Sequence, residues 1–306
     1  MRNRIVGSLR SSGDPELTKA AGAVSQNFVF EYPSIRELAS AVAALVGPTS
    51  QLMDPQQKRA QEIIELVNKY TAYLPEVRGR RANAGNQKIV ALLTGSTGNI
   101  GSHILASLLS DKRITRVYTL NRPSTSTDDR LLTAFEDRSL PTKLLSQSKL
   151  ISLTGDISQE NFGIAPGIYE EVRHMLRSAL NGELTCPDQI TECVTHIIHN
   201  AWTVNFNHSL STFEPQIAAV RKVIDILASL DRPVHLLFTS SVGTASGWDP
   251  SRGPVPERPL DDPEYGAHTG YAASKYVVEQ VRRALHLSYA GAHTTSRSLR
   301  RRPPLV

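Results

Sequence analysis

A glycine-rich segment between an apolar run and an amphipathic helix constrains the fold of this chain most. Ile89–Leu93 has the pattern of a short strand, the segment TGSTGNIG follows it, and Ile100–Leu109 has helical periodicity. In such a turn Gly95 permits the tight bend, Gly98 lets backbone approach a pyrophosphate, and Gly101 lets the helix pack closely on the sheet. The free N–H groups at the helix N-terminus attract the anion. The segment therefore predicts a dinucleotide-binding site.

Strand and helix patterns alternate along the rest of the chain. Further strands are predicted at Arg116–Leu120, Lys149–Leu153, Val194–Ile198 and Val234–Phe238, and the clearest helix between them is Glu214–Leu230. Strands that alternate with helices favour an α/β fold with a doubly wound parallel sheet of the Rossmann type. We expect a small helical segment in front of this sheet.

Four regions differ in pattern, and we predict domain boundaries between them. Residues 1–50 contain a capping box that starts at Ser34 and a helical apolar repeat over Ile35–Val46. Residues 51–86 contain a helix capped by Asp54 and then a polar joint, and residues 87–290 hold the nucleotide-binding domain. The last helix fades near Leu287, so residues 291–306 are expected to be a disordered basic tail.

Charge and cysteine content exclude several classes of protein. The net charge of +5 comes largely from the joint and the last ten residues, and no nucleic-acid motif accompanies it, so we expect no specific nucleic-acid binding. No apolar run reaches the ~20 residues of a membrane helix. With two cysteines, Cys186 and Cys193, and no signal peptide, a reducing and cytoplasmic location is expected.

A metal site is not expected either. His196 and His199 are three residues apart on a predicted strand, so their side chains point to opposite faces, and the cysteine spacing is not that of a zinc knuckle. His208 is expected to be solvated, and Trp202 and Phe206 are expected to serve packing.

The end of the second strand bears on the choice between NAD and NADP. NAD sites tend to place an acidic residue there, but this strand ends in Asn-Arg-Pro without a carboxylate. Arg122 can pair with a 2′-phosphate, which favours NADP(H), and Arg130 is a second candidate. The alternative is that Arg122 is a solvated surface residue.

A tyrosine and a lysine form the candidate catalytic pair. Tyr271 and Lys275 lie four residues apart in a helical segment and share one face. A fixed ammonium beside a phenol lowers the tyrosine pKa, so the tyrosine can deliver a proton to a carbonyl oxygen as hydride arrives. Upstream, Val234–Phe238 is followed by Thr-Ser-Ser, and a serine hydroxyl at that strand end can hydrogen-bond the same oxygen. Alone, such a pair is usually an exposed helical pair.

Together these motifs resemble the extended short-chain dehydrogenase/reductase superfamily. More narrowly, the chain is similar to the thioester reductase domains of fungal NRPS-like adenylate-forming reductases and of carboxylic acid reductases. The resemblance is carried by the glycine turn, residues 120–123 (LNRP), 155–157 (GDI), 199–202 (HNAW), 239–241 (TSS) and 271–275 (YAASK).

The resemblance implies roles for individual residues. Ser241, with Ser240 as the weaker choice, Tyr271 and Lys275 match the catalytic set, and Tyr271 and Lys275 would also bind the cofactor. The cofactor-binding candidates are Thr94, Gly95, Thr97, Gly98, Asn99, Ile100, Gly101, Arg122, Arg130, Asp156, Ile157, Asn200 and Ala201. The implied reaction is the NADPH-dependent reductive release of a carrier-bound acyl thioester, as aldehyde or alcohol, in secondary metabolism.

The first region is similar to the closing part of a carrier domain, and the serine that bears phosphopantetheine would precede Met1. The chain is therefore expected to be truncated at both ends, with most of the substrate subdomain missing. The implied partner is an acyl-phosphopantetheine carrier domain. Two alternatives stay open: a reductase of a free carbonyl compound or sugar nucleotide, and an inactive fragment that binds NADPH or a partner enzyme.

Overall fold

A computed structural model describes residues 1–22, 24, 28–32, 35–47, 55–75, 89–123, 127–156, 194–228 and 234–298. The chain divides into two compact units. The helical unit comprises Met1–Ala72, Val204–Ile217 and Ser240–Arg283. The sheet unit comprises Tyr73–Thr203, Ala218–Thr239 and Ala284–Val306.

The sheet unit is built on parallel strands. They are β1 (Ile89–Thr94), β2 (Ile114–Asn121), β3 (Leu150–Thr154), β4 (His196–His199) and β5 (His235–Phe238), in the order β3-β2-β1-β4-β5. Thr94 at the end of β1 is in register with Leu120 on one side and His199 on the other. Because the strand order reverses between β1 and β4, the carboxyl ends of these two strands form the switch point where doubly wound sheets bind ligands.

Helices cover both faces of this sheet. They are α6 (Asn99–Ser110), α7 (Thr127–Glu136) and α8 (Glu214–Ala228). On one face, Leu93 and Val117 are fully buried against Leu105 of α6 and Phe135 of α7. On the other face, the core includes Val223 of α8, packed with Val90, Leu92, Tyr118, Leu120, Leu153, Val194 and Ile197. The predicted doubly wound α/β fold is confirmed.

Short amphipathic helices form most of the helical unit. They are α1 (Arg2–Arg10), α2 (Pro15–Gly22), α3 (Phe28–Glu31), α4 (Ile35–Val46) and α5 (Pro55–Thr71), and the first part of α9 (Gly270–Ser298) joins them. The helices α1 to α4 share a small core made of Leu9, Ala21, Val24, Phe28, Leu38, Ala41 and Leu45. The apolar repeat Ile35–Val46 is thus confirmed as a helix.

The linker helix α5 is tied to two other segments of the helical unit. The Arg59 guanidinium donates to the carbonyl oxygens of Ala267 at 2.5 Å and His268 at 3.1 Å, just before α9 begins. Lys69 forms an ion pair of 2.6 Å with Glu214, the first residue of α8. The helix therefore belongs to the packing of this unit.

Most predicted element boundaries agree with the structure to within one or two residues, but the last helix does not. It continues to Ser298, past its predicted end near Leu287 and into the region expected to be a disordered tail. The fading of the apolar pattern does not end the helix, because the sequence contains no proline between Gly270 and Pro303. The caps at Ser34 and Asp54, the joint and residues 299–306 lie outside the described residues, and the domain boundaries stay a prediction.

None of the helices in the described part of the chain is both long and apolar enough to span a bilayer.

Candidate functional site

The glycine turn joins β1 to α6 at the switch point of the sheet. Gly95 has φ +72°, the left-handed region that favours glycine, and a Cβ there would lie 2.8 Å from the Cα of Ala201. A Cβ at Gly101 would overlap the carbonyl oxygen of Gly95. A Cβ at Gly98 would meet only that same oxygen, at an ordinary 3.4 Å. The protein therefore requires Gly95 and Gly101 for its own packing, whereas the open face of Gly98 is a cradle that a Cβ would fill.

The end of β1 is locked to the end of β4 through one hydroxyl group. The oxygen of Thr94 accepts the backbone N–H groups of Asn200 at 3.1 Å and Ala201 at 3.0 Å, and it lies 2.9 Å from Nδ1 of His199. Because this oxygen already accepts two hydrogen bonds, its own proton is directed to Nδ1, which assigns the Nε2–H tautomer to His199. The Asn200 amide also donates to the Gly95 carbonyl at 3.3 Å. These bonds hold the carboxyl end of β1 against the carboxyl end of β4 at the switch point.

Of the two arginine candidates, Arg130 reaches the glycine turn. Its guanidinium donates to the Thr97 hydroxyl at 3.2 Å and to the backbone carbonyl of Arg122 at 3.3 Å. The Arg122 side chain is exposed. The helix α7 brings Arg130 back to the turn, a placement that the residue order alone does not reveal.

Other predicted cofactor residues lie at the same sheet edge. Ser96 is fully buried and donates to the Asn121 side chain at 2.9 Å, which connects the turn to the end of β2. Asn99 and Ile100 open α6, and the Ile100 side chain is 57% exposed although it is apolar. Asp156 follows β3, and Ile157 lies outside the described residues. This edge has the donors, the open backbone and the apolar contact that a dinucleotide needs.

Tyr271 and Lys275 stand in the first two turns of α9, in the helical unit. The rings of Phe206 and Phe213 meet the Tyr271 ring edge-on, with centroid distances of 5.2 and 6.1 Å. Lys275 Nζ lies 5.9 Å from the centre of the same ring. A Cβ at Gly270 would overlap the backbone of His208, Ser209 and Leu210, shortly before Phe213. The tyrosine is thus held by a close backbone approach and two aromatic contacts.

Ser241 and Ser240 have different surroundings. Ser241 begins a 3₁₀ turn, and its Oγ accepts the N–H of Gly243 at 3.1 Å. A Cβ at Gly243 would lie 3.2 Å from the Cβ of Ala272, so this turn packs on the helix next to Tyr271. Ser240 instead donates a short hydrogen bond to Glu279 of α9. The geometry therefore leaves Ser241 as the serine that can serve a ligand.

Burial changes the acid–base properties of the lysine. The side chain of Lys275 is 2% exposed, and this burial lowers its pKa from 10.5 to about 7, with the Glu279 carboxylate opposing the shift. Burial raises the pKa of Glu279. Lys275 therefore lies beside the Tyr271 ring in surroundings that disfavour its charged form, and its role as the cation next to the phenol stays a prediction.

The histidines also differ in surroundings. His199 is buried, whereas His196 stacks on His235 at 4.7 Å, as expected for opposite strand faces. His208 is not simply solvated: its Nε2 contacts the Asn205 amide at 2.9 Å, and its ring lies 5.9 Å from Phe213. Within the described ranges no three side chains of metal-ligating type come together. Cys186 and Cys193 lie outside those ranges.

The chain is similar in sequence to fungal reductases. It is 38% identical over 298 residues to the adenylate-forming reductase Nps9 of Serpula lacrymans, which covers 92% of this chain and 26% of that protein. It is 29% identical to a carboxylic acid reductase of Neurospora crassa, over 84% of this chain and 22% of that protein. The chain thus spans about a quarter of the length of these curated relatives.

Solved structures share the fold. The terminal R domain from the myxalamid PKS-NRPS pathway superimposes with a TM-score of 0.55 at 20% identity, over 74% of this chain and 53% of that one. The reductase domain of a nonribosomal peptide synthetase from Mycobacterium tuberculosis gives 0.50 at 20% identity, over 76% and 52%. A family profile described as Male sterility protein, an NAD-binding domain, matches residues 93–180 and 186–290. The chain therefore belongs to this NAD-binding family.

Proposed function

We propose that this chain is an NADPH-dependent reductase domain that reduces an acyl thioester carried on the phosphopantetheine of a carrier domain. The observation that carries the proposal is the packing of the Ser241 turn on the first turn of α9, beside Tyr271 and one helical turn before Lys275. This is the residue set that a carbonyl reduction needs: a proton donor, a hydrogen-bond donor and a cation. The names of the relatives, adenylate-forming reductase and carboxylic acid reductase, support the same chemistry.

The glycine turn suits the cofactor of such a reaction. The open backbone at Gly98 and the N-terminus of α6 would bind the pyrophosphate. Arg130, with Arg122 nearby, would bind a 2′-phosphate, and Asp156, Asn200 and Ala201 would line the rest of the site. When bound, the reduced nicotinamide supplies a hydride to the acyl carbon.

The protein would handle the proton and the developing charge. Tyr271 Oη would transfer its proton to the substrate oxygen as that oxygen gains electrons. Ser241 Oγ already accepts the Gly243 N–H, so its own proton can point to the same oxygen and stabilise it. Protonated Lys275 would stabilise the phenolate that remains and hold the cofactor ribose. Cleavage of the carbon–sulfur bond then gives the aldehyde and the thiol, and a second hydride would give the alcohol.

The test mixes the purified chain with NADPH and an acyl-pantetheine thioester and follows the loss of cofactor absorbance. We expect turnover that falls at least ~100-fold in Tyr271→Phe, because proton transfer is worth about that much. Tyr73→Phe is the matched control, since Tyr73 is 98% exposed. Turnover of a free aldehyde but not of the thioester would favour the free-carbonyl alternative, and NADPH binding without turnover would favour the inactive-fragment alternative.

Cofactor choice has its own test. In Arg130→Ala we expect the Kd for NADPH to rise at least ~10-fold and the Kd for NADH to change little, because the guanidinium serves the 2′-phosphate. An equal loss for both cofactors would assign Arg130 to the turn itself, through Thr97, and would contradict its proposed role in selecting NADPH.

A further inference from the structure

Glu279 is a carboxyl group inside the helical unit that the reaction proposed above does not use. It lies on α9, one helical turn after Lys275 and two turns after Tyr271. The hydroxyl of Ser240 donates a short hydrogen bond to it, and the Thr244 hydroxyl faces it as well. Removing a carboxyl group from water is costly, and the hydrogen bond from Ser240 offsets part of that cost.

Ser240 directly precedes Ser241, the serine assigned to the substrate oxygen. The hydrogen bond from Ser240 to Glu279 therefore fastens the start of the Ser241 turn to the helix that carries Tyr271. Within the turn, Thr244 donates its hydroxyl at 2.9 Å and its backbone N–H at 3.1 Å to the Ser241 carbonyl oxygen. The turn also approaches this helix where Gly243 lies against Ala272.

Glu279 also acts on charge. It faces Lys275 and Arg282 on its own helix, and its carboxylate raises the pKa of Lys275 against the effect of burial. Burial raises the pKa of the Tyr276 phenol, and the carboxylates of Asp262, Asp261 and Glu279 add to this shift. The segment Ser240–Thr244 presents hydroxyl groups to Glu279, without a charge. Neutralising Glu279 thus removes the anion that favours the charged form of Lys275.

We propose that Glu279 is a positioning residue with two separable effects: it ties the Ser241 turn to α9, and its carboxylate, one helical turn from Lys275, favours the protonated form of that amine. The proposal rests on the proposed function, because both effects act on residues assigned to proton transfer. It adds a residue that does not touch the substrate but determines where Ser241 lies and at what pH Lys275 is charged.

Two variants separate the effects. Glu279→Gln keeps an acceptor oxygen for Ser240 and removes the charge, whereas Ser240→Ala removes the hydroxyl and keeps the charge. Glu257→Gln, at an exposed loop position, is the matched control for loss of one carboxylate. Thermal unfolding of each variant first establishes that it folds. If Glu279→Gln does not fold, Ser240→Ala still tests the attachment of the Ser241 turn.

The first measurement is the NMR titration of the Lys275 side chain in lysine labelled with ¹³C at Cε, assigned with Lys275→Met. We expect the titration midpoint to fall by about one pH unit in Glu279→Gln, from the loss of a charge one helical turn away. The titration midpoint of Lys275 should be unchanged in Glu257→Gln and in Ser240→Ala. An unchanged midpoint in Glu279→Gln overturns the effect on charge, whether or not the chain turns over a thioester.

The second measurement is the pH profile of thioester reduction. In Glu279→Gln we expect the loss of kcat at high pH to begin about one pH unit lower, as in the titration. In Ser240→Ala we expect kcat to fall about 3- to 10-fold, the value of one hydrogen bond, with KM and the pH profile unchanged. Wild-type kinetics in Ser240→Ala would overturn the proposal that Glu279 positions the Ser241 turn. A wild-type chain without turnover instead contradicts the proposed function, and the titration still decides the role of the charge.

Discussion

Replacing the buried Lys275 with methionine should inactivate the protein and at the same time stabilise it. Burial lowers the pKa of Lys275 from 10.5 to about 7, and the side chain is 2% exposed. One pKa unit corresponds to about 1.4 kcal/mol. At pH 7, therefore, this lysine costs the folded state about 4 kcal/mol relative to the unfolded chain, where the amine is fully charged. Methionine fills a similar volume and carries no charge.

The sign of the pH dependence follows from proton binding. Between pH 7 and 10.5 the unfolded chain binds more protons at this position than the folded chain, so the stability of the wild type rises with pH. The cost of burying Lys275 is fully present below the lower value and absent above the higher one. Because methionine does not titrate, we expect the advantage of Lys275→Met to shrink by about 2 kcal/mol between pH 7 and 9.

Urea unfolding followed by Trp248 fluorescence measures this effect where it arises. Trp248 and Lys275 belong to the helical unit, and Trp202 belongs to the sheet unit, so a Trp202→Phe background isolates the relevant reporter. Lys222→Met, at an exposed position of α8, controls for loss of one lysine. We expect Lys275→Met to gain about 2–4 kcal/mol at pH 7. Equal stability of the wild type and Lys275→Met, with parallel pH dependence, would refute the reasoning.

Four further variants test other parts of the two units. Gly98→Ala should leave the melting temperature within a few degrees of wild type but weaken NADPH binding at least ~10-fold in a fluorescence titration, whereas Gly101→Ala should unfold at a clearly lower temperature. Thr94→Val should lose about 2–3 kcal/mol in urea unfolding, because two backbone N–H groups and His199 lose their partner, and a loss below ~0.5 kcal/mol would contradict the locked switch point. Arg59→Ala should lower kcat for thioester reduction at unchanged NADPH affinity, since it frees the carbonyl groups before α9, and a selective loss of cofactor binding would speak against this.

The sheet and its glycine turn could be predicted because local patterns determine them. The apolar run of β1 is buried, and the turn that follows needs glycine at Gly95 and Gly101 for steric reasons that are independent of any ligand. The tyrosine and the lysine were predictable for the same reason, since their spacing within one helix fixes their common face.

Residues whose placement depends on long-range packing were not predictable in the same way. Ser240 and Glu279 are 39 positions apart, and only the packing of the 3₁₀ turn on α9 brings them together. Arg130 reaches the glycine turn because α7 runs back towards it. The sequence shows only that Arg122 follows the end of β2, which made it the first candidate for the 2′-phosphate. The effect of burial on the pKa of Lys275 could not be predicted either, because spacing shows which groups are neighbours but not how deeply they are buried.

The linker helix α5 shows how a segment that looks like a connector in sequence becomes part of a functional unit. Its amphipathic pattern predicts a helix, but not that Arg59 donates to the carbonyls of Ala267 and His268, four and three residues before Tyr271. At its other end, Lys69 and Tyr70 both bind Glu214 at the start of α8. Within the helical unit, α5 is thus bonded both to the residues just before α9 and to the start of α8. In the proposed reductase, Arg59 would connect this helix to the helix that carries the proton donor, and Arg59→Ala would remove that connection.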